Sequence, residues 1–193
     1  MKFPDLMDVA NGLLSLASLA HHVNSQAANN LQWQDEYFVA LKVNPVVHKL
    51  LSTKRLAIVA ETDADFSALM IYETLRLASL FFAGLLRDEC RVGPAGAIES
   101  KSRLVKVLAS RYVVDWSSFM DLRLWVLCVA ALSDKENRQW YLEEVVKAMD
   151  HLELIDWSDA LNVLRELIWV DAMQEMEADA LGADVANYLV AVR

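Results

Sequence analysis

A chain of 193 residues, 55% apolar with only 5 Gly and 3 Pro, is long enough to bury a sizeable core and too apolar to be a disordered regulator. The net charge of −9 is uneven: residues 1–133 carry 13 Lys or Arg against 13 Asp or Glu, whereas residues 134–193 carry 5 against 14. So acidic an end repels phosphate backbones, and Asp88, Glu89 and Glu99 interrupt the one mildly basic stretch, residues 87–111, so direct nucleic-acid binding is not expected.

Abundant helix formers, scarce turn residues and few period-2 runs predict an all-α fold of about eight helices. The first, over 4–22, opens at Pro4 with Asp5 and Asp8 near its positive end and offers Leu13, Leu14, Leu16 and Leu19 as an apolar side. One Lys followed by two Asp is the wrong charge order for a secretory signal, which points to an intracellular protein, nuclear or cytoplasmic. After the polar break "NSQAANN", a helix over 31–41 is predicted to stop before Pro45. Asn44 then serves as N-cap and Pro45 as the first position of the next helix, "NPVVHKLLS".

A long helix over Asp63–Glu89 follows, with Thr62 and Asp65 at capping-box spacing. Its middle, "LRLASLFFAGLL", is apolar on nearly every side, as expected of a central helix around which others pack. It carries Glu73 and Arg76 and is therefore not read as a membrane span, and the longest apolar run elsewhere, Leu124 to Leu132, is about half the length a span requires. One turn apart among apolar neighbours, Glu73 and Arg76 are expected to form a buried, hydrogen-bonded ion pair, structural in role.

Residues 1–193 read as a single domain, and "GPAG", Gly93 to Gly96, is the clearest loop and the expected seam if there are two halves. A helix over 98–112 is basic outside and apolar through Leu104, Val107 and Leu108. The next, over 118–132, should be buried around most of its circumference, and Ser133 with Glu136 is at capping-box spacing for its successor. There Tyr141, Val145, Met149 and Leu152 form one stripe, with Glu143, Glu144 and Lys147 facing water. The two helices make an αα-hairpin in which Trp125 is expected to be buried and Trp140 to close the turn-back. Asp156 is the predicted N-cap of a helix whose stripe is Trp157, Leu161, Leu164 and Ile168, with Trp169 at its end. The last segment, from Asp171, mixes acids with apolar residues: it reads either as an acidic activation segment or, the favoured reading, as a docked helix with Met173, Met176, Ala180 and Ala183 facing the body.

Little of this suggests catalysis. The four histidines lie on separate segments, and His21 and His22, adjacent on a helix, point about 100° apart. Neither a Gly-rich phosphate loop nor a nucleophile-base motif is present. Cys90 and Cys128 each sit in an apolar helical pattern, as packed thiols do. No catalytic residue, metal site or cofactor is assigned, and an enzyme is not expected; aromatic stripes at helical spacing are read as core.

The order "LWVLCVAAL", a short charged break, "RQWYLEEVV" and then "DWSDALNVLRELIW" resembles the carboxy-terminal regulatory domain of fungal-specific transcription factors. In that family an apolar Leu-Trp helix leads to a break with an acid and Arg, then Trp with an aromatic, then a Trp-initiated helix ending in Leu/Ile-Trp. The matching residues are Leu124, Trp125, Glu136, Arg138, Trp140, Tyr141, Trp157 and Trp169. Upstream, "ETLRLASLFFAGLL", with Glu73 and Arg76, and "VVHKLLS" resemble two further family segments, so that the likeness covers residues 35–172. It implies an all-helical regulatory domain acting through protein partners, a homo-oligomer or a small effector, in the nucleus or cytoplasm; no membrane contact is expected from the apolar segments read above. Family members usually carry a six-cysteine binuclear zinc cluster that reads DNA, and this sequence has no such cluster. Both a piece of a regulator and a free-standing relative remain open, as do a ligand-binding or effector protein outside transcription and, third, an enzyme with an unrecognised site.

Overall fold

The computed structural model describes residues 6–27, 36–52, 63–93, 96–110 and 114–192, and among these the regular structure is helical with no strand. The elements are α1 (Leu6–Ala27), α2 (Glu36–Phe38), a π-helical turn (Val39–Val43), α3 (Asn44–Ser52), α4 (Asp63–Glu89), α5 (Ala97–Leu108), a 3-10 turn (Ser117–Phe119), α6 (Met120–Ser133), α7 (Arg138–His151), α8 (Trp157–Leu167) and α9 (Asp171–Val192). They fall into two compact units, Met1–Trp116 and Ser117–Arg193. The Gly93 to Gly96 loop is not that division: it joins α4 to α5 inside the first unit, and these two helices pack on each other.

In the amino-terminal unit α4 is central, with α1, α3 and α5 packed on it. The stretch Phe66–Glu89 has the length and composition of a membrane span, yet 89% of an apolar 18-residue run within it is buried within the fold. Its apolar circumference is thus used up by neighbouring helices. Thr62 and the Asp65 side chain, the expected capping box, lie outside the described residues. On α1 the buried side is Val9, Leu16, Leu19, Ala20 and Val23, whereas Leu14 is 68% exposed. Gly12 lets α1 approach α3 closely, because a Cβ there would lie 2.6 Å from Leu50 Cδ2.

The predicted break before Pro45 does not occur. Residues 36–52 continue helically, and Asn44, with φ −58° and ψ −40°, sends its N–H to the Val39 carbonyl five residues back. Pro45 has no N–H to offer the Leu41 carbonyl, and its ring crowds that carbonyl; widening the preceding turn to π geometry carries the helix past it. Asn44 is therefore helical rather than an N-cap, and its side-chain oxygen accepts from Arg87 on α4.

In the carboxy-terminal unit α6 is buried continuously from Leu124 to Leu132, and α7 packs on it as the expected hairpin. The Ser133–Glu136 capping box is not formed. Ser133 is still the last residue of α6, so its hydroxyl donates to the Ala130 carbonyl at 3.1 Å, while Glu136 is exposed. Asp134 holds the turn instead, accepting from Asn137 Nδ2 at 2.8 Å and the Tyr141 hydroxyl at 3.3 Å. Tyr141, Val145 and Met149 are buried as one stripe, with Leu152 half-buried. Glu144 does not face water: its side chain is 13% exposed and bridges Arg123 of α6 and Lys147.

At the start of α8 Asp156 caps as predicted, accepting from the Asp159 N–H at 3.1 Å, and Asp159 reaches back to the Ile155 N–H at 2.9 Å. The last segment is a docked helix, α9, packed on α6, α7 and α8. Its buried face is Ala178, Leu181, Val185 and Leu189, not the predicted one: Ala180 and Ala183 are exposed, and the side chains of Met173 and Met176 lie outside those described. Gly182 sits on this face with the Trp157 indole against it, since a Cβ there would come 2.3 Å from Trp157 Cδ1.

Candidate functional site

The sequence placed Glu73 and Arg76 three residues apart on α4, and in the fold they form a forked pair. Arg76 Nε donates to Glu73 Oε2 and Nη2 to Oε1, both at 2.8 Å. Arg76 is only 3% exposed, so its charge depends on this partner, and its hydrogen bonds to the Glu73 carboxylate hold the guanidinium above its ordinary value against the opposing effect of burial. A second cation comes from α5, where Arg103 Nη2 meets Glu73 Oε1 at 3.0 Å with its side chain 33% exposed. One carboxylate between two guanidiniums leaves the triad with net positive charge.

Both guanidinium-bearing residues line a pocket of about 280 Å³. Its apolar walls are Val47 and Leu51 from α3 and Leu77 and Leu80 from α4, with Glu99 of α5 as an acidic lining residue. At roughly 30 Å³ per water it holds about nine waters' worth of space, the small end of the range for organic ligands. Apolar walls with a fixed cationic edge suit an amphipathic molecule with an accepting head. Arg103 is the partner free to turn toward such a head, because Arg76 alone keeps Glu73 doubly bonded.

The residues of the downstream part of the resemblance, from Leu124 to Trp169, belong to the carboxy-terminal unit and mostly act as packing and ties. Leu124, Trp125 and Trp169 are buried at 0%, 0% and 1% exposure. Trp125 Nε1 donates to the Ile168 carbonyl at 2.6 Å, fixing α6 to the end of α8. Arg138 bonds the Ala131 carbonyl at 2.9 Å and Asp184 of α9 at 3.0 Å. Tyr141 is buried, and burial first, then the adjacent Asp134 carboxylate, pushes its phenol well above the ordinary tyrosine value. Trp140 is only half-buried, edge-on to Tyr141 with centroids 5.0 Å apart, so it covers the hairpin less completely than expected. Trp157, also half-buried, has its indole N–H buried with no hydrogen-bond partner among the described residues.

Burial likewise pushes the Cys128 thiol far up, which makes it a poor nucleophile. Among the described residues no three His, Cys, Asp or Glu side chains come together in a way that could hold a metal ion. Arg103 is the site residue the sequence concealed: thirty positions from Glu73 on another helix, it appeared only as one charge in the mildly basic stretch. Compared with protein-family models, with curated proteins and with solved structures, the chain matches none.

Proposed function

We propose that the chain is a regulatory domain of the kind found in fungal-specific transcription factors, without enzymatic chemistry, that holds a small effector in the pocket beside Arg76 and Arg103 and passes occupancy on through protein contacts in the nucleus or cytoplasm. The observation that carries this reading is the coincidence of the Glu73–Arg76 pair, two of the residues bearing the resemblance, with the cationic wall of an apolar pocket. The effector class that fits is a small amphipathic acid, its head on Arg103 and its body against Leu77 and Leu80. DNA reading, in this scheme, comes from a separate module.

The test is a thermal-shift screen of short aliphatic and aromatic carboxylic acids, followed by calorimetry. Ligands that raise the melting temperature should lose that effect in Arg103→Ala, and Leu51→Trp, which fills the pocket from α3, should block them too. Fused to an unrelated DNA-binding module, the chain should then alter reporter output in response to the same acids. An absence of stabilising acids, or hits indifferent to both substitutions, overturns the effector reading; binding without any change in reporter output places the protein outside transcription.

A further inference from the structure

The side of α5 that lines the pocket beside Arg103 carries more than one cation. Gly96, Glu99, Ser100 and Arg103 all line it, at i, i+3, i+4 and i+7, one face of a helix. Arg103 gives Nη2 to Glu73, and its guanidinium makes no other hydrogen bond among the described residues. Its Nε and Nη1 can therefore serve a ligand while the bond to Glu73 stays. Glu99 stands one turn before Arg103, the spacing of a helical ion pair, but Arg103 goes to Glu73 and Glu99 has no cation among the described residues. Ser100 is only 8% exposed, and its hydroxyl makes no hydrogen bond among the described residues. An acid in the first turn steadies a helix through its dipole wherever on the circumference it stands. That accounts for a carboxylate at 99; it does not account for one set, unpaired, in a pocket wall beside a cation and a buried hydroxyl.

Charge balance narrows what such a wall would hold. Glu73, Arg76 and Arg103 together leave one positive charge in excess, and Glu99 brings one negative charge to the same wall. A plain carboxylate on Arg103 would lie close to an unpaired Glu99 and be repelled by it. A ligand with an ammonium beside its carboxylate satisfies both. In an α-amino acid the two groups sit on one carbon, close enough to bridge side chains whose Cβ atoms are about 5–6 Å apart on a helix. The Ser100 hydroxyl can add a hydrogen bond to the carboxylate. The apolar walls then take the side chain, and Leu51, 63% exposed, would be covered by it. Size agrees, since leucine has about as many non-hydrogen atoms as the 280 Å³ pocket has room for waters. We infer that the ligand of this pocket is a free α-amino acid with an apolar side chain, its carboxylate on Arg103 and its ammonium on Glu99; the inference rests on the effector reading above and narrows it.

The test separates the ammonium from the rest of the ligand. Calorimetry on the full chain compares leucine and phenylalanine with isocaproate and hydrocinnamate, the same bodies without the ammonium. At least one amino acid should bind about tenfold or more tighter than its des-amino partner, the worth of one charged hydrogen bond. Glu99→Gln should abolish that preference, weakening the amino acid while leaving the des-amino acid no weaker, because a repelling charge is gone. Arg103→Ala should weaken both. Glu99 is exposed, so its variant should fold, and its binding of the des-amino acid reports on the pocket directly. Des-amino acids that bind as tightly as the amino acids, a preference that survives Glu99→Gln, or a Glu99→Gln variant that loses both ligands alike, each overturns this inference and leaves the effector reading standing. If neither class binds, the inference falls, and the effector reading falls with it where the wider screen of acids is also empty.

Discussion

In the carboxy-terminal unit three polar side chains are tied to backbone or to a neighbouring carboxylate: Trp125 to the Ile168 carbonyl, Arg138 to Ala131 and Asp184, Tyr141 to Asp134. In the amino-terminal unit Arg76 and Arg103 are tied as well, to Glu73, but they also line a cavity. A side chain already bonded to backbone can add rigidity and little else. One paired to a carboxylate at a cavity wall adds stability and can also meet a ligand there. On the proposed reading, residues 117–193 serve as scaffold and the helices before them hold the effector.

The largest effect should come from breaking a tie. Trp125→Ala removes a fully buried indole and strands the Ile168 carbonyl, at a cost of about 3–5 kcal/mol or roughly 6–20 °C in melting temperature. Half-buried Trp140, which makes no such bond, should cost clearly less on truncation to Ala. Scanning calorimetry that finds the two variants equal would erase the distinction between tie and cover.

Next is Glu73→Gln, the corresponding break in the amino-terminal unit. Arg76 would stay buried with a neutral partner, and removing one member of a buried pair costs about 3–5 kcal/mol. With Glu73 23% and Arg103 33% exposed, solvent screening should reduce this to about 2–3 kcal/mol. Chemical denaturation showing no loss would mean that Arg76 finds water or another acceptor and that the triad is not a unit.

How much of this was legible depended on whether the cause was local. The all-α class, the long α4, the hairpin of α6 and α7 and the Asp156 cap follow from periodicity and capping chemistry within a few residues, and the structure has them. The errors came where a residue had two local uses and the fold chose between them. Asn44 and Pro45 look like a helix start, but a π turn absorbs the proline at less disruption than a break. Ser133 could cap α7 or finish α6, and it finishes α6 because Asp134 already holds the turn. On α9 the apolar residues are mostly small and recur on several faces, so only Gly182, fitting the Trp157 indole, shows which side docks. Sites were the least legible: Arg103 joins Glu73 from thirty residues away, on another helix.

A smaller effect distinguishes the two units by pH. Burial raises the Tyr141 phenol above its ordinary value of 10.0, so the folded chain keeps its proton at a pH where the unfolded chain has lost it. That stabilisation is complete below about pH 10 and is lost as pH rises beyond it, with Cys128, raised from 9.0, adding to the decline from about pH 9. Tyr141→Phe, which gives up a hydrogen bond worth about 1 kcal/mol at neutral pH, should make the alkaline fall shallower. An unchanged slope in melting temperature above pH 10 would mean that the phenol ionises freely and is not enclosed by the hairpin.

The smallest stability effect belongs to the residue on which the proposed function most depends. Arg103 is one-third exposed and adds a single bond at 3.0 Å to a carboxylate that Arg76 already grips with two. As a partly exposed ion pair it should contribute no more than about 1 kcal/mol, so Arg103→Ala should lower the melting temperature by no more than about 2–4 °C. The stabilisation given by a bound carboxylic acid, however, should disappear with the side chain, because no other lining guanidinium is free to leave its partner. Arg138→Ala in the carboxy-terminal unit should do the reverse, lowering stability by cutting its bonds to Ala131 and Asp184 while leaving the ligand response intact. Measuring both variants with and without acid sets scaffold against site directly. A large stability loss in Arg103→Ala with an undiminished ligand shift would show that its guanidinium is one more tie, and that the two units use their charges alike.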